Sequence, residues 1–250
     1  MNTQQARKFK ILLLGDSCID IYQYGTIDRI SPEAPVPVFK LLYEEMRDGM
    51  SSNVKANLEM LGCDVTHFHG ATSIKTRLID NHSKQHIVRL DVDKETLPLY
   101  YKFDLDEYEA IVISDYCKGY ITYDLVEDLR RRFKGPIFID TKKHDLVKFK
   151  GCFVKINSSE AKQATSSVTD LIVTKGGDGA SYKGRTYIGN KVTVRDVCGA
   201  GDTFLAALTY QYLNTNSIEE AIDFANKASS ITVQKLGVYA PSFSEILTWP

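Results

Sequence analysis

Hydrophobic residues fall along this chain in two rhythms. Phe9–Leu14, Glu109–Ser114, Pro136–Asp140, Cys152–Ile156 and Asp170–Thr174 are short, almost unbroken apolar runs. That is the pattern of strands covered on both faces. Elsewhere the spacing changes to three and four. Leu125, Val126, Leu129 and Phe133 mark one helical face, and Ala221, Phe224, Ala225 and Ala228 another, on a helix expected over Ile218–Gln234. A further helix is bounded by Gly49 and Gly62. Strands alternating with helices predict an α/β fold: a three-layer sandwich with a mainly parallel sheet and helices on both faces.

Two stretches break the rhythm. Ile21–Tyr43 carries Tyr22, Tyr24 and Ile27, then Pro32, Pro35 and Pro37, then a second apolar run. Prolines confine such strands to edges or separate ribbons. Ile74–Ile79 and Gln85–Asp91 read as a second ribbon, turned at Asn81-His-Ser. Together they predict a small β lid over about 21–43 and 74–91, inserted in one domain spanning 1–250. Cys63–His69 reads as a strand with His67 and His69 on one face. No third ligand lies nearby, so a surface or half-buried pair is expected rather than a metal site.

The stretch with the most chemistry begins at Lys191–Arg195, which reads as a strand. It turns on Gly199-Ala200-Gly201, and an apolar helix runs on to Leu213. Glycines at a helix start let backbone N–H groups converge on one small volume, and the helix dipole adds positive charge there. Asp202 sits in the first turn. A carboxylate beside an anion site makes sense if Asp202 takes a proton from a hydroxyl that attacks phosphorus while the amides hold the transferring group. The plain alternative is an ordinary strand-to-helix turn. The spacing matches neither a dinucleotide fingerprint nor a Walker loop.

Asp196-Val-Cys-Gly-Ala-Gly-Asp202 resembles the C-terminal signature of the ribokinase-like (phosphofructokinase B) sugar kinases. The chain is similar in particular to the kinase domain that acts on D-glycero-D-manno-heptose 7-phosphate at O1. That likeness is carried by Gly15-Asp16 through Arg29–Val38, Asp115-Tyr-Cys-Lys-Gly119, and Ala225–Ser229 through Lys235-Leu-Gly237. The resemblance implies a ribokinase-like fold and an ATP-dependent sugar kinase using magnesium, with a monovalent cation as a further candidate. It implies Asp202 as base and Gly199, Ala200 and Gly201 as anion hole. Asn157-Ser158-Ser159-Glu160 would order magnesium and phosphates, the metal held through water by Asn157 and Glu160. Asn157 and Glu160 read equally well as a helix cap. Thr174, Gly176, Gly177, Gly179, Ala225, Asn226 and Ser229 would line the nucleotide. Asp16, Asp20, Gly49, Met50, Asn53, Asp115 and Lys142 would face the acceptor, although Asp20 could instead cap a turn and Lys142 could simply be solvated. The resemblance also implies a homodimer through the lid.

Three departures from the family pattern matter. Met50 stands where a second glycine is usual, so its side chain either points away or fills part of the acceptor pocket. About one βα unit is missing after Gly70, and Ala161–Ser167 replaces a longer helical stretch. Another sugar phosphate as acceptor, or a nucleotide-binding subunit without turnover, are the alternatives these departures raise.

Composition adds exclusions. The formal net charge of -1 gives no pull towards nucleic acid or an anionic membrane. Five scattered cysteines without paired spacing fit a reducing compartment. With no apolar run long enough to span a bilayer and a polar start from Met1 to Lys10, a cytoplasmic protein without a membrane partner is expected. No second, nucleotidyltransferase domain is expected before Pro250.

Overall fold

The computed structural model describes residues 8–102 and 104–249. Most of the polar opening run, and the final Pro250, lie outside the described residues. The chain begins β1 (Lys10–Ile30), β2 (Pro37–Met50), α1 (Ser51–Met60), β3 (Asp64–Asp80), β4 (His86–Val92) and β5 (Ala110–Asp115). It continues α2 (Tyr123–Arg132), β6 (Ile137–Thr141), β7 (Phe153–Asn157), α3 (Ser158–Gln163) and β8 (Leu171–Thr174). It closes with β9 (Ala180–Tyr182), β10 (Arg185–Tyr187), α4 (Ala200–Thr215), α5 (Ile218–Thr232) and α6 (Phe243–Thr248).

One sheet joins all the strands, in the order β10-β9-β8-β7-β6-β5-β1-β3-β4, with β2 also paired to β1. The run from β8 to β3 is parallel, and β2, β4, β9 and β10 are antiparallel to their neighbours. Strand alternation sorts the apolar residues to two faces. Ile11, Leu13, Val112 and Phe138 pack with α1, α4 and α5. Leu12, Leu14, Ile113 and Ile139 pack with α2. Both faces are therefore apolar, which explains the unbroken runs in the sequence.

The lid is not made of separate ribbons. β1 is 21 residues long and β3 is 17, and each runs from the core out into the lid. Over Ile11–Gly15, β1 lies between β5 and β3; from Ser17 onward β2 replaces β5 as its neighbour. The changeover coincides with a register shift between Gly15 and Ser17. Position 15 must be glycine there, because a Cβ would stand 2.3 Å from the Ser114 carbonyl oxygen. The continuity of β3 follows from the shortened sequence, since no inserted unit separates its core half from its lid half. The lid is thus a four-stranded sheet, β2-β1-β3-β4, growing out of the main one.

The strand expected at Lys191–Arg195 does not form. β10 ends the sheet, and residues 191–194 run without regular structure along a cleft wall. The Arg195 and Asp196 amides then donate to the Val233 carbonyl just past α5. The alternating valines line a cleft instead of pairing. Among the described residues no helix is long and apolar enough to cross a membrane.

Candidate active site

The start of α4 lies at the C-terminal ends of the parallel strands, where open α/β sheets form their ligand crevices. Gly199 is left-handed (φ 75°) and caps α4 without a side chain. A Cβ there would stand 2.6 Å from Asn53 Nδ2, so the turn and α1 can meet only through glycine. Gly199, Gly201 and Asp202 line a polar cavity of about 510 Å³. The Ala200 amide donates to the Val197 carbonyl at 3.3 Å, which leaves the Gly201 and Asp202 amides of this first turn as donors for an anion.

Asp202 is held from two sides in that cavity. Asn53 Nδ2 donates to its Oδ2 at 2.9 Å, and the Tyr116 hydroxyl donates to its Oδ1 at 3.0 Å. Burial pushes its carboxyl up to about 6. The Asn53 hydrogen bond opposes this, Asp140 adds to it, and Lys155 and Tyr116 also hold it down. A carboxylate with this affinity for protons suits a general base near neutral pH. If Asp202 is that base, kcat/KM rises with pH through about 6 and levels off above it. A pH profile flat from 5 to 8 would remove Asp202 from that role.

Three further residues complete the cavity, none of them singled out from sequence. Lys155 Nζ donates to Asp140 Oδ2 at 2.7 Å in a buried pair. Tyr116 comes from the loop after β5. A Cβ at position 201 would lie 2.8 Å from Lys155 Nζ, so the ammonium abuts the first turn of α4. A signal existed: a lysine inside the apolar run Cys152–Ile156, and an aspartate ending Pro136–Asp140, are hard to place in a structural core. Lys142 also lines this cavity and pairs with Glu160. Burial lowers the Lys142 pKa, but Asp140 and Glu160 outweigh that and leave it raised.

The expected nucleotide residues divide. Thr174, Gly176, Gly177, Gly179, Asn226 and Ser229 line an apolar cleft of about 380 Å³ that shares Gly201 and Thr174 with the polar cavity. Ala200 lies on that cleft too, whereas Ala225 is fully buried in the core behind it. Asn157, Ser158 and Ser159 line the polar cavity. Asn157 and Glu160 also form the capping box of α3: Asn157 Oδ1 accepts from the Ser159 and Glu160 amides, and Glu160 Oε2 accepts from the Asn157 amide at 2.7 Å.

On the acceptor side, Asp16 Oδ2 accepts from the Tyr116 and Lys118 amides and so fixes the loop after β5. Asp16 Oδ1 is buried with no partner, and burial raises the Asp16 pKa. Asp20 is ion-paired: Arg77 Nη1 donates to its Oδ1 at 2.5 Å, both side chains 6% exposed. Arg77 also reaches Cys198 Sγ at 3.2 Å and lies over the Tyr22 ring, joining lid to anion turn. Gly49 packs against this pair, since a Cβ there would stand 2.2 Å from Asp20 Oδ2. Asp115 stands apart from the cavity. It is 1% exposed and holds the Cys117 amide, Thr141 Oγ1 and Lys143 Nζ.

Met50 lines neither cavity. The β1–β2 register pairs Gly49 with Cys18 and Met50 with Ser17, so the two residues project from opposite faces. Met50 is nonetheless strained, at φ 56° and ψ -131°. Such a backbone costs a non-glycine residue about 1–3 kcal/mol. Met50→Gly is therefore expected to be more stable than Met50→Ala in urea, the reverse of the usual order, and to leave the choice of acceptor unchanged. Alanine proving the more stable of the two would mean that the strain is absent.

Residues 146–245 match the pfkB family carbohydrate kinases. The chain is 31% identical to the bifunctional protein HldE of Nitratiruptor sp., the match covering 96% of this chain and 64% of that protein. It is 30% identical to the bifunctional protein HldE of Hydrogenovibrio crunogenus, covering 98% and 64%. The chain thus spans a little under two thirds of the length of these relatives. Among solved structures, it superposes on a ribokinase of Thermotoga maritima with a TM-score of 0.70 at 16% identity, covering 96% of this chain and 99% of that one. An Arabidopsis thaliana ribokinase, complexed with ribose and ATP, gives 0.72 at 14%, covering 97% and 99%. At such identities the likeness to these structures is one of fold.

Proposed function

We propose, because this chain belongs to the pfkB family of carbohydrate kinases, that it transfers the γ-phosphoryl group of ATP to a sugar phosphate, namely D-glycero-D-manno-heptose 7-phosphate at O1. The observation that carries the reading is Asp202, fixed by Asn53 and Tyr116 at the mouth of an anion-binding helix turn. Asp202 takes the proton of the acceptor hydroxyl as its oxygen attacks phosphorus. The first-turn amides of α4 and the Lys155 ammonium take up the charge of the transferring group. Adenine fits the apolar cleft against Asn226, Ser229 and Val233.

A phosphorylated acceptor is favoured by the cations on its side. Lys75 and Lys142 each lie within 5.5 Å of the Tyr116 ring centre, and Lys118 pairs with Asp93 nearby. The heptose itself rests on the likeness carried by Arg29–Val38.

Magnesium fits the site in one respect. The side-chain oxygens of Asn157 and Glu160 serve the helix cap and Lys142, so they suit water-mediated contact at most. Asp140 Oδ1 is buried without a partner beside the cavity. No cluster of three potential ligands occurs among the described residues, as suits an ion carried mainly by nucleotide phosphates and water. Bound there, it would neutralise phosphate charge.

The test is ADP release with a panel of sugars and sugar phosphates. Heptose 7-phosphate giving the highest kcat/KM supports the reading, and a preference for an unphosphorylated sugar ends it. A homodimer through the lid is part of the same proposal. The outward face of the lid carries Met46, Leu41, Val88, Leu90 and Val92, each 43–62% exposed, an apolar patch of the kind that partners cover. Light scattering should give twice 28.1 kDa; a monomer at assay concentrations would rule the dimer out.

A further inference from the structure

We propose that Tyr116 is a positioning residue that guards the base, its hydroxyl holding the place on Asp202 which only a bound acceptor hydroxyl can take. A general base must hydrogen-bond the proton it removes. Asp202 is 5% exposed, and its Oδ2 is already engaged by Asn53, so Oδ1 is the oxygen through which an attacking hydroxyl must be addressed. The Tyr116 phenol stands there, 3.0 Å away, on the wall of the phosphoryl cavity.

The ring is held in place from several directions. Its own amide donates to Asp16 Oδ2 at 2.7 Å. Two lysine ammonium groups lie near its ring, Lys75 on the lid and Lys142 on the loop after β6. The next residue, Cys117, has a left-handed backbone at φ 58° without being glycine, so the loop keeps this shape at some cost. Such a device has a purpose in a kinase. A base beside an anion hole also activates water: the water oxygen forms the new bond to the γ-phosphorus, the bridging oxygen leaves with ADP, and Asp202 takes the water proton. A phenol on Oδ1 denies water that position. A sugar anchored at several hydroxyls displaces the phenol, whereas a lone water does not.

The inference rests on the kinase reading through Asp202, but not on the identity of the acceptor. The experiment uses the full chain with ATP and magnesium, comparing wild type with Tyr116→Phe, which keeps the ring and loses the hydroxyl. ADP release without any acceptor should rise about fivefold, the factor that corresponds to one hydrogen bond. With the panel sugar that wild type uses best, the acceptor KM should fall, because the competing phenol is gone. A structural role would lower both activities together. Unchanged acceptor-free ADP release, or hydrolysis and transfer falling in parallel, overturns the guard. Failure of every sugar phosphate in the wild-type panel would refute the proposed substrate while leaving the hydrolysis comparison in force.

Discussion

Asp202→Asn is expected to lose about 10²–10⁴-fold in turnover and, at the same time, to melt higher than the wild type. The first effect follows if Asp202 is the base, since asparagine keeps its shape and cannot take the proton. Asparagine can still accept from Asn53 and donate to the Tyr116 oxygen, so nucleotide binding should be nearly unchanged. The second effect follows from the sign of the shift. The folded carboxyl titrates at about 6, above its ordinary 3.8, so the folded protein binds the proton more tightly than the unfolded chain. Stability from this group is complete below about pH 4 and is lost as pH rises through 6. The ionised carboxylate then costs about 2–3 kcal/mol at neutral pH. A neutral amide avoids that cost, which for a chain of this length is worth roughly 5 °C or more in Tm. The gain should be seen at pH 7–8 and shrink towards pH 4. Turnover above about a tenth of wild type would remove Asp202 from the role of base. A lower Tm at pH 8 would mean that its environment does not disfavour the charge.

Arg77→Met should be the most destabilising single change in the lid, by about 3–5 kcal/mol in urea. It leaves the Asp20 carboxylate buried without its counter-charge, and it also cuts the contact to Cys198 that ties β3 to the anion turn. Adding Asp20→Asn should return most of the loss, because much of the cost is an unpaired charge rather than a missing contact. Failure of the second substitution to restore stability would mean that Arg77 acts through packing on Tyr22 instead.

Much of this site could be read along the chain, and what escaped has a common cause. The helix start at Ala200 was legible because two glycines precede and enter an apolar run of helical spacing. The core strands were legible because burial on both faces leaves few polar positions. The Arg77–Asp20 pair joins residues 57 apart, and the Tyr116–Asp202 contact joins residues 86 apart. Spacing carries no trace of such encounters, which depend on which strands become neighbours. The unbroken length of β1 was hidden because its pattern changes from fully apolar to alternating where the helices stop covering the sheet. Lys191–Arg195 misled in the opposite way, its alternating valines serving a cleft wall.

Because β1 and β3 each cross from floor to lid without a break, the two cannot swing like a door on a hinge. Any opening must be shared as torsion along two paired strands and concentrated at the Gly15–Ser17 register shift. Amide exchange along the lid halves of β1 and β3 should then be as slow as in their core halves, with one cooperative unit spanning both. The lid is better pictured as the end of a stiff plank whose other end is clamped in the core: a push on the lid near Asp20 is delivered directly to the strands that form the floor of the sheet.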